Sequence, residues 1–215
     1  MITIIDYKAG NLASVQKAFA YLGCVTEITS DPDVVARASR LVLPGVGNFS
    51  ATSVLAESGV RRAIEDAIGR GVPFLGICVG MQWLFAGSEE APGVCGLAHF
   101  PGGCARFPSG VKAPHVGWNT VRCAAESRLL RGVDREFFVY YTHSYRAPAG
   151  DGTVGCTEYG GEFAAVVERD NIFGVQFHPE KSAEAGLRAS SSARIPGGRA
   201  SCRRCSPWRR TRPWP

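Results

Sequence analysis

The chain lacks the features that mark membrane, secreted and metal-binding proteins. No apolar run approaches the roughly 20 residues that span a bilayer. Residues 1–6 carry no basic region and no cleavage site, which predicts a first strand and not a signal peptide. The C-x-x-C pair of Cys202 and Cys205 has no second pair, which argues against a zinc or redox site. We therefore expect a cytoplasmic protein with free thiols, no membrane contact, no metal and no other cofactor.

Acidic residues are absent beyond Glu184. Residues 1–187 hold 16 Lys and Arg against all 19 acids, whereas residues 188–215 hold eight Arg and no acid. The first part therefore carries a net charge of −3 and the second +8, so the formal charge of +5 belongs to the end of the chain. The body has no excess of basic residues of the kind that binds nucleic acid, and we expect no nucleic-acid partner.

The composition divides the chain into two parts. Residues 1–188 have the composition of one ordinary globular domain. From Ala189 onwards the residues are mostly Arg, Pro, Ser, Ala and Gly, and no helical or strand period survives. We predict that residues 189–215 are an atypical tail, either disordered or translated out of frame, because they cannot bury enough apolar surface to order themselves.

Strand and helix patterns alternate through the first 90 residues. The predicted strands are residues 1–5, 25–28, 40–43 and 72–75, and the predicted helices are residues 11–22, 33–39 and 60–68. Such alternation favours a parallel sheet flanked by helices. From about residue 95, glycine and proline become frequent, and short β-like runs at 137–141, 161–167 and 172–177 indicate an added antiparallel portion.

The segment Gly76-Ile77-Cys78-Val79-Gly80 follows a short apolar run and precedes residues that can begin a helix. A G-x-C-x-G turn between strand and helix lifts a thiol clear of the sheet, and the glycines permit the turn because they carry no Cβ. A helix beginning beside Cys78 would favour the reactive thiolate. Further along lie His178 and Glu180, two positions apart. Cysteine, histidine and an orienting acid are the groups of a covalent catalytic triad.

These motifs resemble those of class I glutamine amidotransferases, and more narrowly those of the glutaminase subunit of imidazole glycerol phosphate synthase in histidine biosynthesis. The resemblance covers about residues 1–188, and its matching blocks are residues 6–15, 43–47, 112–119, 141–145 and 177–182. The G-x-C-x-G and H-P-E elements belong to the whole class. The D-Y-x-x-G-N-L, P-H-x-G-W-N and H-P-E-K elements carry the narrower assignment. The resemblance implies a class I glutamine amidotransferase-like α/β fold with a mostly parallel central sheet, flanking helices and an added antiparallel portion.

The resemblance also implies a reaction, the hydrolysis of glutamine to glutamate and ammonia through a cysteine thioester. Cys78 would be the nucleophile, His178 the proton shuttle and Glu180 the group that orients the imidazole. Backbone N–H groups would form an oxyanion hole, and polar side chains would bind glutamine. The respective candidates are Val79, Val46 and Gly47 for the oxyanion hole, and Gln82, Thr142, His143 and Ser144 for the substrate.

A partner is implied in the same way. It would be a cyclase subunit with a (β/α)8 barrel, which forms a heterodimer with this chain and takes its ammonia through an internal passage. The cyclase would convert a phosphoribulosyl-formimino-aminoimidazole carboxamide ribonucleotide into imidazole glycerol phosphate and aminoimidazole carboxamide ribonucleotide. The candidate residues for the partner face and the ammonia passage are Asn11, Trp118, Tyr141 and Lys181.

Other functions stay open from the sequence. A class I glutaminase subunit of another biosynthetic pathway would bind a different partner, although the narrower motifs argue against it. A free-standing cysteine hydrolase, such as a γ-glutamyl peptidase, would act without a partner. A non-catalytic partner-binding subunit would bind the cyclase and release no ammonia. An arginine-rich tail that contacts nucleic acid is a further alternative, but no fold supports specific contacts.

Overall fold

A nine-stranded mixed sheet forms the centre of the structure, a computed structural model that describes residues 1–192. In chain order the strands are β1 (Ile2–Ile5), β2 (Thr26–Thr29), β3 (Leu41–Gly45), β4 (Phe74–Cys78), β5 (Ala105–Arg106), β6 (His115–Cys123), β7 (Glu136–His143), β8 (Tyr145–Arg146), β9 (Thr153–Glu158), β10 (Glu162–Arg169) and β11 (Ile172–Val175). The short strands β5 and β8 form a separate antiparallel pair, and the other nine make the central sheet.

The order of the central sheet is β2-β1-β3-β4-β11-β10-β9-β6-β7. Pairing is parallel from β2 to β11 and antiparallel from β11 to β7, so the predicted parallel core and the added antiparallel portion form one continuous sheet. The strands β1, β3, β4 and β11 are buried at every position, whereas β7 alternates between exposed and buried residues. This is the difference expected between parallel strands covered on both faces and antiparallel strands with one face open.

Six helices and two short 3₁₀ turns complete the described residues. They are α1 (Leu12–Tyr21), α2 (Pro32–Ala36), α3 (Ser53–Glu57), α4 (Val60–Gly69), α5 (Val79–Gln82) and α6 (Ala183–Ser192), with 3₁₀ turns at Phe49–Thr52 and Pro179–Lys181. Helix α1 buries Val15 and Phe19, four residues apart, which is the spacing that puts two side chains on one helical face. Within the described part of the chain, no helix has the length and apolar character needed to cross a membrane.

Several elements differ from the sequence predictions. Strands β6 and β9 were not predicted, and the helix predicted after the glycine-flanked cysteine is the single turn α5. Helix α6 runs four residues past the predicted domain end at 188, so residues 189–192 are helical. The remaining residues of the predicted tail, 193–215, lie outside the described residues, and the prediction of disorder or an altered reading frame for them stays a prediction.

Candidate active site

Cys78 ends β4 and occupies a backbone conformation that L-residues rarely adopt, with φ 53° and ψ −108°. Helix α5 begins at the next residue. A Cβ added at Gly80 would overlap the backbone carbonyl oxygen of Leu43, and one added at Gly76 would overlap that of Gly80. Glycine is therefore required on both sides of Cys78 by close approach of the backbone, and the tight turn predicted from the sequence is present.

The sheet register places Cys78 between two neighbouring strands. On one side Cys78 is the register partner of Gly45 at the end of β3, and the Val46–Gly47 turn follows directly. On the other side Ile77 is the register partner of Val175 in β11, so the next residue along, Gln176, lies abreast of Cys78. The predicted oxyanion turn and the segment that leads to His178 therefore flank the thiol from opposite sides.

His178 and Glu180 form a buried pair beside Cys78. Glu180 Oε1 lies 2.9 Å from His178 Nδ1, and the two side chains are only 3% and 2% exposed. Ser182 fixes this turn, because its hydroxyl donates to the backbone oxygen of His178 at 2.6 Å and accepts from the backbone N–H of Tyr140 at 2.9 Å. The second imidazole nitrogen, Nε2, has no hydrogen-bond partner among residues 1–192.

The electrostatic surroundings of His178 favour its charged form. Burial by itself would lower the pKa of the imidazole, but interactions with Cys78 and with Glu180 outweigh burial and raise the pKa to about 10. A positively charged imidazolium next to a thiol stabilises the thiolate, which is the nucleophilic form. The arrangement can therefore supply a nucleophile, a proton donor and acceptor, and an orienting carboxylate.

A cavity of about 210 Å³ opens at Cys78. Its lining includes eight of the residues predicted from the sequence, namely Val46, Gly47, Cys78, Val79, Gln82, Thr142, His143 and Ser144. Pro114, Tyr145 and Glu90 also line it and were missed by sequence reasoning. Glu90 is the one carboxylate in this lining, and its Oε2 accepts from the backbone N–H of Phe49 at 2.7 Å. The acidic pair Glu89–Glu90 in the loop after α5 was the sequence signal available for it.

Two buried histidines, of which His143 lines the cavity and His115 does not, are joined in a chain of hydrogen bonds. The backbone oxygen of Tyr145 can only accept, so His143 Nδ1 donates to it at 2.8 Å and His143 Nε2 must be an acceptor. His115 Nδ1 then donates to His143 Nε2 at 3.1 Å, and His115 Nε2 accepts from Asn119 Nδ2 at 3.3 Å. Burial lowers the pKa of His115 to about 4 and that of His143 to about 3, so both rings are neutral. Because both nitrogens of His143 are engaged, its ring lines the cavity with no nitrogen free for a ligand.

The residues predicted for a partner face occupy different places. Trp118 is 54% exposed on β6, and Lys181 is exposed with its Nζ 5.7 Å from the centre of the Tyr140 ring. Asn11 caps α1, its Oδ1 accepting from the backbone N–H of Ser14. Tyr141 differs from these three because it lies inside the fold.

The Tyr141 side chain is fully buried, and its hydroxyl lies 2.7 Å from Thr157 Oγ1. The period of two in β7 turns Tyr141 inward and leaves Tyr140 on the outer face, so Tyr141 is not exposed to a partner, and its role in an ammonia passage stays a prediction. Among residues 1–192, no group of three or more His, Cys, Asp or Glu side chains is arranged to hold a metal ion.

The chain is similar to proteins of one known family. Residues 3–189 match the family Glutamine amidotransferase class-I. The chain is 49% identical over 188 residues to the imidazole glycerol phosphate synthase subunit HisH of Methanothermobacter thermautotrophicus, covering 87% of this chain and 94% of the relative. It is 49% identical over 189 residues to the HisH subunit of Moorella thermoacetica, covering 86% and 90%.

The fold is similar to those of solved structures. A crystal structure of a glutamine amidotransferase superposes with a TM-score of 0.71 at 16% identity, over 90% of this chain and 99% of the other. The structure of PurLQS from Thermotoga maritima superposes with a TM-score of 0.68 at 19% identity, over 89% and 96%. At these identities the likeness concerns the fold alone, and it agrees with the fold class predicted from the sequence.

Proposed function

The chain belongs to the class-I glutamine amidotransferase family, alongside HisH subunits of imidazole glycerol phosphate synthase, and we propose that it is the glutaminase subunit of that synthase in histidine biosynthesis. It hydrolyses glutamine to glutamate and ammonia, and the ammonia passes to a partner subunit. The observation that carries the proposal is that Cys78, which lines the cavity, interacts with His178 of the buried His178–Glu180 pair.

In the proposed reaction the sulfur of Cys78 attacks the side-chain amide carbon of glutamine. The C–S bond forms first and leaves a negative charge on the carbonyl oxygen. The C–N bond then breaks as His178 gives the departing nitrogen the proton that makes it ammonia. His178 then takes a proton from water, which attacks the thioester and releases glutamate and the free thiol. Glu180 accepts from Nδ1 throughout, which keeps Nε2 directed at the reacting atoms.

The cavity offers groups for the rest of glutamine. The backbone N–H of Val79 and that of Val46 or Gly47 come from the two segments that border Cys78, and we assign them to the oxyanion. Glu90 is the carboxylate available in the lining for the α-ammonium group of the substrate. Both amide hydrogens of Gln82 are used inside the protein, so its Oε1 is the atom left to accept from a ligand.

We propose that the partner is a cyclase subunit with a (β/α)8 barrel and that the two chains form a heterodimer. The outer face of β6 and β7 supports a protein contact, because Val116, Trp118 and Phe138 are 56%, 54% and 64% exposed on it. This face reaches the cavity, since Val116 is the register partner of Thr142, which lines the cavity. The cytoplasm is the proposed location, where the six cysteines of the described residues, all free thiols, would stay reduced.

The test is glutamate release from glutamine, measured with and without the cyclase subunit and its nucleotide ligand. We expect strong stimulation by the loaded partner and complete loss in Cys78→Ala. Cys95→Ala is the matched control, because Cys95 is an exposed thiol away from the cavity, and it should retain full activity.

Each of the other possible outcomes would support a different function. Equal release with and without the partner would indicate a free-standing hydrolase. Stimulation by the partner of a different glutamine-dependent synthase would indicate another pathway. Normal binding to the cyclase with no release in any condition would indicate a non-catalytic subunit and would contradict the proposed chemistry.

A further inference from the structure

A buried glutamine lies against the thiol of Cys78. Gln176 is fully buried, and its Nε2 lies 3.6 Å from Cys78 Sγ. It stands abreast of Cys78 in the sheet and two residues before His178. Because side chains of an extended segment alternate, Gln176 and His178 extend to the same side while Phe177 packs into the core.

The orientation of the Gln176 amide is fixed by its neighbours. The backbone oxygen of Tyr145 can only accept, so the nitrogen that Gln82 places 2.8 Å from it must be the amide NH₂ group. The same Nε2 of Gln82 donates its second hydrogen to Gln176 Oε1 at 3.0 Å. Gln176 therefore accepts with its oxygen and can only present its own NH₂ group to the sulfur. If the Gln176 amide were flipped, its NH₂ group would face the NH₂ group of Gln82, and its oxygen would face the sulfur of Cys78.

We propose that Gln176 is a further catalytic residue whose amide donates a hydrogen bond to the sulfur of Cys78 and stabilises the attacking thiolate. The proposal rests on the proposed role of Cys78 as nucleophile. A sulfur anion is a better acceptor than a neutral thiol, so the bond favours ionisation. It also holds the sulfur in one position, because the Gln176 amide is itself held by Gln82.

The decisive variant is Gln176→Met, which keeps the length of the side chain and removes the donor. Reactivity of Cys78 towards iodoacetamide is followed against pH on the full chain, by mass spectrometry of the peptide that contains Cys78. We expect the pH midpoint of alkylation to rise by about one unit, with about tenfold less alkylation below the midpoint. His178, the Tyr7 hydroxyl and the Cys104 thiol interact electrostatically with Cys78, and the variant keeps all three.

Thr157→Val is the matched control. Thr157 is a buried residue of the same sheet whose hydroxyl bonds to Tyr141 and to the backbone oxygen of Thr120, away from the sulfur. Its removal should leave the alkylation midpoint where it is in the wild type. An unchanged midpoint in a folded Gln176→Met variant would overturn the proposal. Alkylation needs no turnover, so a raised midpoint in Gln176→Met supports the hydrogen bond even if the wild type releases no glutamate. An absence of glutamate release would then contradict the proposed function and not the hydrogen bond.

A measurement on the wild type keeps the proposal testable if Gln176→Met does not fold. The ¹⁵N resonance of Gln176 Nε2 should move with pH at the same midpoint as alkylation of Cys78, because the hydrogen bond strengthens on ionisation of its acceptor. The movement should vanish in Cys78→Ala. A resonance that ignores the ionisation of Cys78 would overturn the proposal.

Discussion

Acidification should destabilise the fold through the buried pair of His115 and His143. In the folded chain their pKa values are about 4 and about 3, because burial disfavours the charged rings, and in the unfolded chain both return to 6.5. Between pH 6.5 and the folded-state pKa values, the unfolded chain therefore binds more protons than the folded chain. The free energy of unfolding consequently falls as the pH falls below about 6.5. Between pH 7.5 and pH 5 each ring costs about 2 kcal/mol, and the pair costs about 4 kcal/mol.

His178 opposes this trend with the opposite sign. Its folded pKa of about 10 lies above 6.5, so its contribution is complete below pH 6.5 and is lost as the pH rises through 10. Between pH 7.5 and pH 5 this adds back about 1 kcal/mol, which leaves a net loss of about 3 kcal/mol in the wild type.

The measurement is urea unfolding at pH 7.5, 6.5 and 5, for the wild type and for His115→Gln. Glutamine cannot titrate and can still donate to His143 Nε2, so the variant should lose about 2 kcal/mol less than the wild type on acidification. The contribution of His178 cancels in this comparison. The same acid-side loss in both proteins would refute the assignment of a neutral buried pair.

Three further predictions concern the surroundings of Cys78. Gly80→Ala should lower the free energy of unfolding by about 3 kcal/mol, because its Cβ would overlap the Leu43 carbonyl. The control Gly93→Ala, with open space around it, should change the free energy of unfolding by less than about 0.5 kcal/mol. Equal melting temperatures of the two variants would contradict this prediction. Tyr7→Phe should raise the free energy of unfolding by about 1 kcal/mol, because it removes a buried hydroxyl that has no hydrogen-bond partner among the described residues. A lower free energy of unfolding for the variant, measured by urea unfolding, would show that the hydroxyl is hydrogen-bonded. Glu180→Gln should reduce partner-stimulated glutamate release at least about 100-fold, because the imidazole loses its orienting carboxylate, and unchanged turnover would exclude that role.

The parallel half of the fold and the turn at Cys78 could be predicted because their signals are local. Continuous apolar runs mark the buried strands, and the close backbone approach at Gly80 needs glycine whatever lies elsewhere in the chain. Strand β6 could not be found in this way. Its buried face carries His115, while its exposed face carries Val116 and Trp118, so the usual pattern of apolar inside and polar outside is reversed.

The cavity depends on contacts between segments far apart in the sequence. His115 can be buried because His143 accepts its hydrogen bond across the β6–β7 pair, and no pattern within either strand shows that contact. The inward position of Tyr141 could not be read from its motif, because it depends on the pairing of β7, which leaves Tyr140 facing outward. Gln176 was missed for the same reason, since its contact with the thiol follows from the pairing of β4 with β11.

The position of Cys78 is set by three adjacent parallel strands and not by its turn alone. Gly45 at the end of β3 borders Cys78 on one side, and a Cβ there would lie 2.5 Å from the Tyr7 hydroxyl and 2.7 Å from Val79 Cβ. Gln176 borders it on the other side and leads into His178. Parallel strands end at the same edge of the sheet, so backbone hydrogen bonds align the Val46–Gly47 turn, Cys78 and the segment that leads to His178. A substitution that shifts β3 or β11 should therefore alter the reactivity of Cys78 even where the triad side chains are unchanged.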